Sequence, residues 1–151
     1  MRCKMDRSKV VVVLEDDQVV RDLLASVLQD RGYYVVPVES GGRALEVLQQ
    51  VRARLLILDL QLPDMNGNDV LRALRADEKT SDVKAMIVSG HMNMLKRDGS
   101  HQISQLVDKP FDVEQVVSQV EDLIGKAQAE PTPLAVDRPF RPYLISARQM
   151  A

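Results

Sequence analysis

Cysteine is almost absent from this chain. The one thiol, Cys3, stands in a polar N-terminal stretch with no second cysteine to pair with, which excludes an internal disulfide framework and fits a reducing compartment. Long apolar runs are missing as well: the longest are about five residues, against the ~20 that a bilayer span needs. Residues Met1 to Lys9 hold no apolar signal core, so a cytoplasmic location is expected. Histidine is scarce, and neither His91 nor His101 makes a metal-ligand spacing with Cys3, so no zinc site is expected. An excess of one charge is also lacking. With 20 basic and 22 acidic side chains the formal net charge is −2, which offers no basic field for non-specific binding to nucleic acid.

What remains is ordinary globular material: 151 residues, 45% hydrophobic and 28% charged, enough for one core and too few for two full domains with a linker. A Val-rich strand, Val10 to Leu14, is followed by Val19, Val20, Leu23, Leu24, Val27 and Leu28 at helical spacing, with Gly32 as the stop. The alternation continues with a strand over Tyr34 to Val38, a helix from Gly42 to Val51, and a strand over Leu55 to Asp59. A helix from Asp69 to Ala76 and a strand over Ala85 to Ser89 come next. Between His91 and Gln102, Met92, Met94 and Leu95 suggest a short helix broken at Asp98-Gly99. A fifth strand over Ile103 to Val107 precedes a helix that opens on Asp112, with Gln115 three residues later as a capping box. Five strands alternating with five helices predict an α/β domain, a parallel sheet covered on both faces, because parallel strands need crossovers and helical crossovers bury both sides.

Residues 1–8 read as a leader, 9–126 as the domain and 127–151 as a tail holding four of the seven prolines. The tail is below the ~40 residues a domain needs to fold without staples, so no output domain is expected in it. Phe140, Tyr143, Leu144 and Ile145 leave two readings, a loosely packed extension or a docking segment for a partner.

Acidic and polar residues mark the strand ends. Glu15, Asp16 and Asp17 follow the first strand, Asp59 the third, Ser89 the fourth and Lys109 the fifth. Each has a plain explanation alone: acids cap helix N-termini, and Pro63 and Gly67 are turn residues. Together they fall on one edge, where ligands gather in open α/β sheets. Carboxylates to hold a hard cation, an aspartate nucleophile, an ammonium and a hydroxyl are what Mg²⁺-assisted phosphoryl transfer to a carboxylate uses.

From Lys9 to Lys126 these residues resemble the receiver domains of two-component response regulators. The motifs that carry the resemblance are Val13-Leu14-Glu15-Asp16-Asp17 with Arg21, Asp59-Leu60-Gln61-Leu62-Pro63-Asp64-Met65-Asn66-Gly67, Ser89-Gly90, and Asp108-Lys109-Pro110-Phe111. The resemblance implies a flavodoxin-like sheet of order 2-1-3-4-5, with Asp59 as phosphoacceptor. It further implies Mg²⁺ held by Asp16 directly, Glu15 through water, Asp59, and the Gln61 backbone carbonyl. Ser89 matches the hydroxyl that moves to the phosphoryl group, Lys109 the ammonium that pairs with it, and the Lys109-Pro110 bond is expected cis. Asp17 then reads as a helix cap, although three adjacent acids leave the register open by one residue.

Two features depart from the family pattern. Leu106 stands where an aromatic residue usually swings inward, and the interval from Ser89 to Lys109 looks about two residues short, which predicts a truncated fourth helix. Gln61 and His91 occupy positions that modulate phosphoryl lifetime in the family; His91 reads either as a solvent-facing loop residue or as a shield for the phosphoryl group. The function implied is a phosphoacceptor switch, stand-alone, charged by a histidine kinase or phosphotransfer protein and acting through protein binding or as a homodimer. Its catalysis would be limited to its own phosphorylation and hydrolysis. A degenerate receiver serving as a phosphorylation-independent docking scaffold is the alternative. An aspartate-nucleophile phosphohydrolase is disfavoured, because Gln61 stands where such an enzyme has its acid.

Overall fold

The computed structural model describes residues 6–96 and 102–127. Strands β1 (Asp6–Leu14), β2 (Tyr33–Val38), β3 (Ala53–Leu58), β4 (Lys84–Ser89) and β5 (Gln105–Asp108) form one parallel sheet in the order β2-β1-β3-β4-β5. Helices α1 (Gln18–Asp30), α2 (Gly41–Gln50), α3 (Gly67–Ala76) and α4 (Val113–Ile124) cover it. Strand order reverses between β1 and β3, which opens a crevice beyond their C-termini.

Successive side chains along β1, β3 and β4 enter opposite cores, and both cores are apolar. Val10, Val12, Leu14, Leu56, Leu58 and Ile87 pack beneath α2 and α3, whereas Val11, Val13, Leu55, Ile57, Met86 and Val88 pack beneath α1 and α4. This explains the unbroken Val and Leu runs: a strand buried on both faces has no polar side to alternate with. Pro37, which has no N–H for a ladder, lies on the edge strand β2.

Several expectations are corrected. β1 begins at Asp6, inside the stretch read as a leader, where Asp6 pairs with Tyr33 across an irregularity before Val10. On α1 the buried residues are Leu24, Ala25 and Leu28, while Val19 and Leu23 of the supposed inward stripe are 76% and 42% exposed. An apolar stripe wider than the contact it makes leaves its margin in water. Gly32 ends α1 as read, at φ 95 with its N–H on the Gln29 carbonyl. α3 begins at Gly67 rather than Asp69, and β5 covers Gln105–Asp108 rather than Ile103 to Val107. Asp112 caps α4 as read, but through the Glu114 N–H at 2.9 Å and not through the Gln115 N–H that a capping box uses.

The fourth of the five expected helices, read as short and truncated, is reduced further than expected. Among the described residues its place holds a single 3₁₀ turn, Met92–Met94, closed by bonds from Met94 N–H to the His91 carbonyl and from Leu95 N–H to the Met92 carbonyl. Met92 and Met94 pack against the core and Leu95 is buried, so the apolar signal read as a helix comes from a short loop pinned to the sheet. Asp98-Gly99, His101, Cys3, most of the leader and all of the tail beyond Ala127 lie outside the described residues. Among the described residues no helix is long and apolar enough to cross a membrane.

Candidate functional site

Register brings the acids together. Leu14 pairs with Leu58, so the next residue on each strand, Glu15 and Asp59, emerges side by side at the crevice. The Asp59 N–H donates to the Leu14 carbonyl at 3.2 Å and the Glu15 N–H to the Val38 carbonyl at 3.1 Å, which extends the ladder into both acids. On the other flank Ser89 pairs with Asp108, and the Lys109 N–H donates to the Ser89 carbonyl at 3.1 Å. The Lys109-Pro110 bond is cis.

The side chains converge on Asp59. The Ser89 hydroxyl donates to Asp59 Oδ1 at 2.6 Å, the Gln61 N–H donates to the same oxygen at 3.2 Å, and Lys109 Nζ donates to Oδ2 at 3.0 Å. Lys109 Nζ also lies 2.5 Å from Glu15 Oε1. Glu15, Asp59 and Ser89 are all buried, at 2%, 6% and 0% exposure. Burial is the strongest influence on the Asp59 carboxyl and pushes it up, but the Ser89, Lys109 and Gln61 donors together outweigh it and hold Asp59 below the usual carboxylate range. Glu15 is held above that range, because its burial outweighs the pull of Lys109 and of the Asp17 N–H. Lys109 is raised: burial disfavours its charge, yet Glu15 and Asp59 favour it more.

Asp16 is exposed, and its carboxylate lies with those of Glu15 and Asp59 in a group whose ligand oxygens are all within 4.8 Å of one another. Oxygen donors at ~2.1 Å from an octahedral Mg²⁺ would sit at most ~4.2 Å apart, so a small inward movement of these side chains would fit that ion. Three carboxylates facing one ammonium also leave negative charge for a divalent cation to balance. Asp17 accepts from the Val19 and Val20 N–H groups and is the cap of α1, as read. Arg21 Nη1 reaches back to the Glu15 carbonyl at 2.8 Å and the Asp16 carbonyl at 3.3 Å, which steadies the acidic turn. Leu106 is 37% exposed on β5, opposite Ile87. His91 is exposed, and its N–H donates to the Ser89 Oγ at 3.0 Å.

The loop after Asp59 folds back tightly. The Gly67 N–H donates to the Leu60 carbonyl at 2.7 Å, and a Cβ at Gly67 would lie 2.7 Å from the Asp59 carbonyl oxygen, which is why the turn ends on glycine. Two residues, one in this loop and one in the first turn of α3, have roles that sequence reading missed. Asp64 accepts from the Gly41 and Gly42 N–H groups, both at 2.9 Å, and so caps α2 from outside its own helix. Asn68 is 1% exposed and bonds to the loop after β4. A signal existed for Asn68, a polar residue three positions before inward-facing Leu71; for Asp64 none did beyond its place in a turn.

A family model described as the response regulator receiver domain matches residues 11–121. The chain belongs to the response regulator receiver family. This receiver is 30% identical over 118 residues to the response regulator receiver protein CpdR of Brucella abortus, covering 77% of this chain and 97% of CpdR. It is 28% identical over 123 residues to the DNA-binding dual master transcriptional regulator RpaA of Synechocystis, but spans only 51% of that protein. Among solved structures, the receiver resembles the response regulator TrrA of Thermotoga maritima in complex with Mg²⁺ and beryllium fluoride. That match has a TM-score of 0.68 and 27% identity, covering 77% of this chain and 99% of TrrA. Receivers bind Mg²⁺ at an acidic pocket, and the donor set of Glu15, Asp16 and Asp59 fits that ion.

Proposed function

We propose that this receiver is a phosphoacceptor switch, charged on Asp59 by a histidine kinase or a histidine phosphotransfer protein and read by a protein partner. The observation that carries this reading is the convergence on one buried carboxylate, Asp59, of a hydroxyl, an ammonium, a backbone N–H and two further acids. A carboxylate held below its usual pKa is fully ionised at neutral pH and is available as a nucleophile. Its oxygen attacks the phosphorus of the donor phosphohistidine. The O–P bond forms as the N–P bond breaks, and the electron pair of that bond stays on the imidazole nitrogen.

Glu15, Asp16, Asp59 and the Gln61 carbonyl would hold Mg²⁺, which when bound offsets the charge building on the phosphoryl oxygens. Lys109 and Ser89, now on Asp59 itself, would transfer their donors to phosphoryl oxygens. The acyl phosphate adds charge and acceptor atoms in the crevice, and Ser89 at the end of β4 carries the change towards the β4–β5 surface, where exposed Leu106 lies. Gln61 and His91, whose backbone N–H groups bond Asp59 and Ser89, would tune hydrolysis of the acyl phosphate.

The test is intact mass after incubation with Mg²⁺ and acetyl phosphate, for wild type and Asp59→Asn, with oligomer size recorded on the same samples. A Mg²⁺-dependent gain of one phosphoryl mass, lost in Asp59→Asn, supports the reading. No gain where a control receiver is modified would favour a phosphorylation-independent docking scaffold instead.

A further inference from the structure

We propose that Asn68 is a positioning residue for Ser89: a buried latch that ties the loop after β4 to the first turn of α3, directly after the loop that follows β3. The inference rests on the phosphoacceptor reading and deepens it. Asn68 Nδ2 donates to the Met94 carbonyl at 2.8 Å and to Asn66 Oδ1 at 2.6 Å, while Asn68 Oδ1 accepts from the Lys96 N–H at 3.0 Å. Both donors and the acceptor are thus used, and a flipped amide would set oxygen against two acceptors, so the orientation is unique. The side chain pairs with residues 94 and 96 as a neighbouring strand would, capturing one carbonyl and one N–H two residues apart.

Both ends of the latch lead to the site. Asn68 follows Gly67, which packs on the Asp59 carbonyl. On the other side the 3₁₀ turn runs back from Met94 to His91, whose N–H holds the Ser89 hydroxyl. The 2.6 Å contact between Ser89 and Asp59 is therefore spanned a second time further along the chain, between the start of α3 and residues 94 and 96. A regular helix after β4 would fix that loop by its own packing; among the described residues one 3₁₀ turn, buried Leu95 and the Asn68 amide do so instead. Replacing the amide by a group of similar volume should free the loop while leaving the acids untouched.

The test uses the full chain, with beryllium fluoride in the presence of Mg²⁺ as the phosphoryl mimic and calorimetry as the readout. Asn68→Leu should bind the mimic about five- to tenfold more weakly, the worth of one lost hydrogen bond, with Mg²⁺ affinity unchanged. In a Ser89→Ala background it should cause no further loss, because a residue that acts through Ser89 has nothing left to position. Full affinity for the mimic in Asn68→Leu, or losses that simply add to those of Ser89→Ala, would overturn the proposal. Should Asn68→Leu fail to fold, Asn68→Ala replaces it. Amide exchange separates this inference from the reading beneath it. Even if the wild type bound no mimic, the His91 and Lys96 amides should exchange about tenfold faster in the variant, with β3 unchanged. An unchanged His91 amide would overturn the latch.

Discussion

The Ser89 hydroxyl donates a 2.6 Å hydrogen bond to Asp59, two buried residues thirty positions apart at the C-terminal ends of neighbouring strands. Ser89→Ala removes the shorter of the two donors on Asp59 Oδ1 and leaves only the Gln61 N–H at 3.2 Å there, so the Asp59 pKa should rise towards its ordinary value. Charging by acetyl phosphate should slow by about ten- to a hundredfold, the usual worth of one hydrogen bond to a charged group. Mass-resolved kinetics of phosphorylation check this, and an unchanged rate would remove Ser89 from the transfer.

Lys109 balances two buried acids, and its own side chain is 23% exposed. Lys109→Met leaves Glu15 and Asp59 facing each other without a cation and should destabilise the fold by about 3 kcal/mol at pH 7, the low end for breaking a buried pair. Without the ammonium both carboxyls should titrate higher than in the wild type. They can then shed charge as the pH falls, and the deficit should narrow from pH 7 to pH 5. Mg²⁺ should narrow it too. Urea denaturation at both pH values, with and without Mg²⁺, measures each effect.

Gly67 and Gly41 should respond differently to alanine. At Gly67 the new Cβ meets backbone, the Asp59 carbonyl oxygen and Leu60 Cα, both at 2.7 Å. At Gly41 it meets chiefly the flexible Met65 side chain, with Cγ and Sδ both at 2.6 Å, and the Val70 Cγ2 less closely at 3.0 Å. Gly67→Ala should cost about 2–3 kcal/mol and Gly41→Ala about 1 kcal/mol or less, because a methionine can rotate and a strand-end backbone cannot. Chemical denaturation of the two variants ranks them; the reverse order would show that the turn after β3 is softer than its contacts imply.

Asp64 joins the loop after β3 to the first turn of α2, and the Gly42 and Gly41 N–H groups hold its carboxyl below the usual range. A depressed folded pKa means stability that is present above the unfolded value of about 3.9 and lost as the pH falls through the folded one. Asp64→Ala should therefore lower stability at pH 7 by about 1 kcal/mol, a typical cap effect, and the difference from wild type should shrink below about pH 4. Melting temperatures across that range provide the check; a deficit that stays constant with pH would mean that the charge of Asp64 contributes nothing.

The sequence by itself determined the strands, their parallel arrangement and the edge on which the chemistry collects. Runs such as Val10 to Leu14 and Leu55 to Leu58 can only be buried on both faces, and an acid ending such a run has to leave the sheet at its C-terminal edge. That reasoning reached Glu15, Asp59, Ser89 and Lys109 because strand ends are marked in the order of residues. Tertiary structure decided what such order does not carry. Leu23 has the spacing of a core residue, yet it lies at the margin of α1, because the width of a helix contact depends on what packs against it. Met92, Met94 and Leu95 have an apolar signal that fits a helix, but the Asn68 amide and the core hold them as one 3₁₀ turn. Asn68 and Asp64 bind backbone N–H and carbonyl groups 22 to 28 residues away. Those groups are the same in every residue, so no pairing rule in the sequence could have named them, and only the folded path of the chain brings them within reach.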